Sequence, residues 1–594
     1  MNLASDIKNT SRSELSVVLE RALLNETDLL NLSVDDKVLI VHKIRDLLTD
    51  PSEIDDSKLC TRALNILKVI CRSQSGLQRL LTSDLIEVVS KHAGFTTETK
   101  YLGTDRDDTQ IVARKVLNNA FLQYKESVQF FRCCPNALEI LIQRISAATP
   151  SKSIGSLEFQ EDKTNTYQLL YFDLKLLVLI TILDQQTTQL LAKEYNAPNV
   201  LLRFIELHIQ SANSTSSPDQ TTHAVIITIA TADMLTDALK ALYNFLYAMD
   251  TDDSSKQTIS DVQMVNAWNE IFEYFINIMI DLMDTKVATV SNSQEHDTHQ
   301  QRVYDCQDNL ESAVINDLLG AGAAFHRRIA EGLWDNSNTR DSTVTAQNDN
   351  HALNFLLKFL DRRLTERDDR NRDDQRLMPI LTLLIALCRS HKLLRKHYRN
   401  VILPPRRDVN IRPETGNSVK AKLVRLMTSV TAIKNYAAGF LYVLCHQNVD
   451  RLIKYTGFGN AAGMLADFGL LSLINQATPN NPDDPSSGSD SETEEFAAAA
   501  PDYNPVIGAT EAKHPDPFEG MSDEQKEYEV MKLVNEIDKL VSKDCAIRPA
   551  RLTQDGRLEP IEHVLQLQDP NSGMPNRAGQ SQKETSDPDI DCVD

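Results

Sequence analysis

Ala63-Leu64-Asn65-Ile66-Leu67-Lys68-Val69-Ile70-Cys71 carries apolar residues at 63, 64, 66, 67, 70 and 71. That spacing is a wide helical stripe and not the alternation of a strand. Leu381 to Cys388 and Ala437 to Cys445 repeat the pattern. Proline is nearly absent from these runs and clusters between them, as helix interiors require. From about residue 10 to 475 the chain reads as one helix after another.

At 594 residues the chain exceeds the size at which a single globular core stops growing. It is therefore several domains or one elongated repeat array. Aromatic residues are 6% and glycines number 19, low for a β-rich or dinucleotide-binding chain. The net charge of −22 argues against nucleic-acid binding, which needs a basic surface. The nine cysteines are scattered and Cys133-Cys134 is the only close pair. With no Cys/His ligand spacing, neither a metal nor a disulfide framework is expected, and no cofactor is implied. The N-terminus lacks a basic segment followed by an apolar one, so no signal peptide is read there. Leu169 to Leu183 carries Asp173 and Lys175 and is too short to span a bilayer, so it reads as a buried helix. The expectation is a soluble, cytoplasmic monomer without membrane insertion.

A weak internal repeat joins Lys115-Val116-Leu117-Asn118-Asn119-Ala120-Phe121 to Lys240-Ala241-Leu242-Tyr243-Asn244-Phe245-Leu246. Their separation of 125 residues is close to three units of about 40–47, the armadillo/HEAT period. Stacked units of that kind form a superhelix with a long concave surface. Ser211 to Gln220, Asp284 to Gln301 and Asp335 to Asn350 read as surface loops. The fold class is all-α, an armadillo/HEAT-type array over 1–475. An acidic flexible linker is expected over 476–521, since its composition cannot bury enough apolar surface to fold alone. A C-terminal amphipathic helix and extension follow over 522–569, then a disordered tail over 570–594. Ser522-Asp523-Glu524-Gln525 is a capping-box pattern at the start of that helix. Val530, Leu533, Val534 and Ile537 lie on its apolar face, which must dock either back on the array or on a partner.

No phosphate loop, zinc-protease motif or nucleophile elbow is present, so no covalent catalysis is expected. Tyr455-Thr456-Gly457-Phe458-Gly459-Asn460-Ala461-Ala462-Gly463 follows a helix, not a strand, and reads as a turn between helices rather than a phosphate cradle. Arg389 to Arg407 contains no acidic residue, and Lys392, Arg395, Lys396 and Arg399 are spaced along one helical face. On so acidic a chain that face suits an acidic partner or the chain's own linker, against the plainer reading of a solvated surface. Lys68 and Arg72, four apart, extend the patch or simply edge a repeat helix. Asn119 and Asn244 occupy equivalent repeat positions, where an amide either holds a bound peptide or bridges neighbouring helices. In the linker, Ser487, Ser489 and Ser491 each precede an acidic residue by three positions, the pattern an acidophilic protein kinase selects. Phosphates there would add charge able to pin the linker to a basic groove.

Ile402-Leu403-Pro404-Pro405-Arg406-Arg407-Asp408-Val409, Arg412-Pro413-Glu414, Lys422 to Thr428 and Ile453 to Gly463 resemble the synembryn family. Tyr503-Asn504-Pro505-Val506-Ile507-Gly508, Glu519 to Lys526 and Met531-Lys532-Leu533-Val534 are similar to it as well. The resemblance is densest from about 380 to 565. It implies an armadillo/HEAT-type fold and two activities on heterotrimeric G-protein α subunits (Gα), receptor-independent guanine nucleotide exchange and chaperoning of newly made Gα. The implied groove residues are Lys68, Arg72, Asn119, Gln123, Lys392, Arg395 and Lys396, which would hold the C-terminal helix of Gα while the last helix keeps the nucleotide-binding domain open. The partner would be GDP-bound, nucleotide-free or nascent Gα, with recruitment to the cell cortex through it. Lys68 and Lys392 stand where the animal family members carry Arg and lack its bidentate fork. Gln123 stands where Asn is expected. The implied phosphorylation candidates are Ser486, Ser487, Ser489, Ser491 and Thr493. The alternative is an armadillo-type adaptor without exchange activity. An importin-like version of it is opposed by the basic and amide character of the matched positions and by only two tryptophans, Trp268 and Trp334.

Overall fold

The computed structural model describes residues 12–50, 56–103, 106–148, 165–213, 225–250, 259–288, 296–323, 325–339, 351–370, 374–474, 494–510, 520–542, 550–552 and 558–560. It divides into two compact units, 1–510 and 511–594.

In the first unit the 63–71 stretch belongs to the helix Ser57–Ile70, where Ala63, Leu64, Ile66, Leu67, Val69 and Ile70 are all buried. The stripe thus widens to nearly the whole circumference, the mark of a helix with neighbours on several sides. Asp56 starts it by accepting the Leu59 N–H at 3.0 Å. Ser33, Thr82, Asp184, Ser418 and Asn448 cap other helices in the same way.

The helices Ser57–Ile70, Asp107–Gln123, Asn165–Leu183, Ile229–Asp250, His296–Gly320, Met378–Ser390 and Lys434–Leu444 pack in succession, each on the next. This row is the spine of the array. A second layer runs alongside, with Ala197–Asn213 packed on Ala137–Ala147 and on Ile259–Met283, and Ile259–Met283 packed on His326–Thr339. The unit is an all-α helical-repeat array.

Charged side chains tie row helices together. Arg114 Nε meets Asp173 Oδ1 at 2.6 Å, with both side chains at most 3% exposed. Lys175 Nζ meets Asp237 Oδ2 at 2.9 Å on the other side of the same helix. Asn165–Leu183 is long and apolar enough to cross a bilayer by composition. Its two charges explain why it instead serves as a shared core helix: each finds its partner on an adjacent row helix.

Three expectations change. The 125-residue separation between the Lys115 and Lys240 segments spans two units, not three, because only Asn165–Leu183 stands between their helices in the row. Helices and connections are longer than a minimal 40–47-residue unit, which the spacing alone concealed. The loops are shorter than their polarity suggested. His296–Gly320 and His326–Thr339 run into two of them, and Thr285–Val287 pairs in parallel with Val225–Ile227, burying Thr285 and Val287.

The third change concerns the expected flexible linker 476–521. Residues 494–510 fold onto the last helices of the array, through Glu494–Ala499 and an antiparallel pairing of Tyr503–Asn504 with Ala509–Thr510. The Phe458 and Gly459 N–H groups donate to the carbonyls of Pro505 and Val506, at 2.8 Å each. The helix Phe458–Asp467 has no side-chain cap, so these carbonyls satisfy donors its first turn leaves orphaned. The Gly-rich turn is therefore structural as read, and its donors are occupied by backbone. A Cβ on Gly508 (φ +67°) would lie 2.9 Å from the Gly457 Cα, so this contact requires glycine.

In the second unit, Asp523–Ser542 is a helix opened by the expected capping box. Gln525 N–H donates to Ser522 Oγ at 3.3 Å, and Ser522 N–H to Gln525 Oε1 at 3.2 Å.

Candidate partner-binding edge of the helix row

Several of the singled-out residues of the array fall at or near the C-terminal ends of successive row helices. Lys68 ends the first with Arg72 just beyond it, Asn119 and Gln123 end the second, and Asn244 lies in the second half of the fourth. Lys392, Arg395 and Lys396 begin the helix Lys392–Ile402 that follows Met378–Ser390. The bonds from Asn119 to the Lys68 carbonyl and from Asn244 to the Val178 carbonyl and Thr181 join the ends of neighbouring row helices into one edge.

At the N-terminal end of this edge cations crowd. Lys68 Nζ donates to Asn65 Oδ1 at 2.7 Å, and Arg72 pairs with Glu26 at 2.6 Å. Partial burial lowers the Lys68 pKa, and the like charges of Arg72 and Lys115 lower it further against the opposing effect of Glu26. Lys115 also sits over the Phe172 ring at 5.2 Å. Three cations share the locality with one carboxylate, an arrangement an incoming anion would relieve.

The two asparagines bridge helices. Asn119 Nδ2 donates to the Lys68 carbonyl at 3.0 Å, and Asn244 Nδ2 to Thr181 Oγ1 at 2.9 Å and the Val178 carbonyl at 3.4 Å. Each therefore reaches back to the preceding row helix. Both are half-buried, as is Gln123.

Sequence reasoning missed the middle of the edge. A pocket of about 380 Å³ spans three row helices, with Val178 and Ile182 on one, Tyr243 and Asn244 on the next, and Asn309 and Asn316 on the third. Its exposed lining is mainly apolar, and its polar residues are the amides Asn244, Asn309 and Asn316 together with Lys240, Ser312 and Asp317. Leu122, Ile182 and Tyr247 stand 56%, 65% and 57% exposed along the same turns, which no solvated helix edge requires. The available signal was positional: large apolar residues recurring beside amides at the ends of row helices. Asp317, beneath this pocket, is fully buried and its carboxyl oxygens have no hydrogen-bond partner among the described residues. Burial raises its pKa well above the carboxylate range.

The basic helix divides. Lys392 and Lys396, one turn apart, are exposed. Arg395 folds back to donate to the Cys388 carbonyl at 3.3 Å, closing the end of Met378–Ser390, and Arg399 is buried at 7% exposure. The expected four-cation face is a two-lysine face supported from beneath. His391 caps the helix by accepting the Leu394 N–H at 3.2 Å, with Trp334 packed against its ring at 5.9 Å.

On Asp523–Ser542, Val530 and Leu533 are exposed and Val534 is buried. Ile537 belongs to the same helix, but its side chain lies outside the described residues, as do Ser486, Ser487, Ser489, Ser491 and Thr493. Among the described residues no cluster of potential metal ligands occurs.

Residues 63–557 match the family model described as guanine nucleotide exchange factor synembryn. The chain is 30% identical to chaperone Ric-8A of Gallus gallus over 508 residues, covering 84% of this chain and 85% of that one. It is 34% identical to chaperone Ric-8A of Xenopus tropicalis over 419 residues, covering 69% and 70%. Against chaperone Ric-8A of Danio rerio the identity is 48% over 212 residues, 36% of this chain and 37% of that one. With most of its length matched and the helix row its fold provides, the chain belongs to the synembryn family of guanine nucleotide exchange factors.

Proposed function

We propose that the chain is a guanine nucleotide exchange factor and folding chaperone for heterotrimeric G-protein α subunits, and that the edge of its helix row is the groove holding the C-terminal helix of Gα. One observation carries this reading: Lys68, Arg72 and Lys115 crowd at one end of a row whose middle holds a largely apolar pocket with amides among its lining residues. A cation cluster favours an anionic group, and a polypeptide C-terminus supplies one. A largely apolar lining suits the apolar face of an amphipathic helix. Lys392 and Lys396 add exposed positive charge for acidic side chains of the same partner.

Exchange by this route uses no acid, base or nucleophile from the chain. Holding its C-terminal helix away from the GTPase core loosens Gα, and the Asp523–Ser542 helix offers Val530 and Leu533 to keep the nucleotide-binding domain open. GDP leaves, and GTP rebuilds the closed fold and releases the exchanger. The chain thus binds the open conformer preferentially, and its differential affinity must cover the cost of opening. The same preference suits nucleotide-free and nascent Gα, hence chaperoning. The setting proposed is a cytoplasmic monomer recruited to the cell cortex through Gα, with the acidic run around Ser486 to Thr493 phosphorylated by an acidophilic kinase.

Fluorescence anisotropy with a labelled Gα C-terminal peptide tests the groove. Saturable binding is expected, weakened by charge reversal at Lys392 and Lys396 and by amidation of the peptide's terminal carboxylate. No binding, or binding indifferent to both changes, overturns the reading. Binding without accelerated GDP release leaves an adaptor.

A further inference from the structure

One buried cation adds to the backbone bonds that hold the strap formed by residues 494–510, and ties it to the array at Tyr503 and Gly508. Arg406 is 6% exposed. Its Nη1 donates to the Lys454 carbonyl at 2.7 Å and to the Tyr503 hydroxyl at 2.8 Å, while Nη2 donates to the Gly508 carbonyl at 2.6 Å. Its guanidinium also lies 5.3 Å from the centre of the Tyr503 ring. The Tyr503 hydroxyl donates to the same Lys454 carbonyl at 3.2 Å, closing a triangle between the array and the strap. A planar fork with five donors on three nitrogens reaches these three acceptors at fixed angles, whereas a lysine offers its three donors from a single point. The last strap residue is anchored as well, since the Thr510 N–H donates to the Val409 carbonyl at 2.9 Å.

This anchoring sets a length. The C-terminal helix is capped at Ser522. With the strap docked, only residues 511–522 separate it from the array, about 12 residues that span at most ~43 Å when fully extended. Counted from Ile474, the last described residue before the strap, residues 475–522, about 48, span at most ~170 Å. For an unstructured tether the effective concentration of the tethered group falls roughly as the −3/2 power of length, so a fourfold longer tether dilutes it about eightfold.

We infer that Arg406 is a positioning residue for nucleotide exchange: by pinning the strap it fixes the point from which the 511–522 connection to the C-terminal helix starts. The inference rests on the proposed two-contact engagement of Gα, groove plus C-terminal helix. Nothing in it requires Arg406 to touch the partner.

The test compares the full chain, Arg406→Ala, an insertion of about 36 Gly/Ser residues between Thr510 and Ser522, and their combination. Each is measured for affinity to the isolated Gα C-terminal peptide, affinity to whole nucleotide-free Gα, and rate of GDP release. Either single change should leave peptide affinity unaltered and weaken whole-subunit affinity and release about eightfold. The combination should lose about 20-fold, because both act on one tether, and not the ~64-fold of independent effects. Limited proteolysis should cut Arg406→Ala within 503–510, and Arg406→Lys should fail to restore protection. The inference is overturned if the insertion changes neither whole-subunit measurement, or if Arg406→Ala weakens peptide binding as much as whole-subunit binding. Deleting Ser522 to Leu565 separates the two levels. If that deletion is also without effect, the two-contact reading itself fails and the inference with it. If the deletion weakens engagement and the insertion does not, the tether role alone is wrong.

Discussion

The side-chain amide of Asn119 donates to the backbone carbonyl of Lys68, 51 positions earlier, at 3.0 Å. The carbonyls of Leu67, Val69 and Ile70 are taken by the N–H groups of Cys71, Arg72 and Ser73. Asn119 thus caps, from the next row helix, a carbonyl that the end of Ser57–Ile70 leaves over. It joins two repeats and sets the backbone from which the Lys68 side chain projects.

Asn119→Ala should therefore cost about 1 kcal/mol of array stability, the usual worth of one such hydrogen bond. It should also speed amide hydrogen exchange near residues 68–73. Exchange confined to the 107–123 helix would show that the bridge does not couple the repeats.

The Arg114–Asp173 pair sits between two row helices with both side chains at most 3% exposed. Asp173→Leu alone strands a buried guanidinium and should destabilise the array by about 3–5 kcal/mol, while Arg114→Met with Asp173→Leu should recover most of that loss. Thermal melting of the single and double variants decides it. A double variant as unstable as the single one would mean that the pair, not mere packing, holds the row.

The division of the basic helix predicts unlike effects from like substitutions. Lys392→Glu with Lys396→Glu should leave the melting temperature unchanged and lower Gα peptide affinity about tenfold, less so at high salt where exposed charges are screened. Arg399→Glu places an acidic side chain where the arginine is buried and should lower the melting temperature instead. Melting curves and anisotropy on the same preparations separate the two outcomes.

His92 is buried, and its Nε2 lies 3.0 Å from the Leu48 carbonyl. Burial lowers its pKa from the ordinary 6.5 to about 4 against the opposing hydrogen bond to the Leu48 carbonyl, with smaller lowering contributions from Arg106 and Lys100. Between those values the unfolded chain binds the proton and the folded protein does not, so stability falls as pH drops from 6.5 toward 4. The loss should reach roughly 3 kcal/mol at the bottom of that window. His92→Gln should flatten this part of the profile in melting measured from pH 7.5 to 4.5. An unchanged slope would assign the acid sensitivity to other groups.

Helix periodicity was legible wherever apolar residues recur, as in Ala63 to Cys71, and so was the capping box at Ser522. The number of units between Asn119 and Asn244 was not, because period can be read only when connections are short, and those here are long. The strap was hidden by composition. Tyr503 to Thr510 has no apolar stripe, and it folds through backbone carbonyls, two facing glycines and one arginine 97 residues away. Lys68 and Lys392 were legible as charge on an acidic chain. The pocket at Tyr243, Asn309 and Asn316 was not, since it exists only once three row helices lie side by side. Arg395 and Arg399 show the limit of spacing arguments: they share a helical face with two exposed lysines, yet local packing turns them inward.

The most direct measurement is the rate of GDP release from a purified Gα subunit on addition of the full chain, alongside the Lys392→Glu/Lys396→Glu variant. The account predicts acceleration by the unaltered chain, saturating with its concentration and competed by the Gα C-terminal peptide. It predicts about a tenfold weaker half-saturation for the variant. Release that the unaltered chain leaves at its intrinsic rate, or acceleration that the peptide cannot compete, would contradict it.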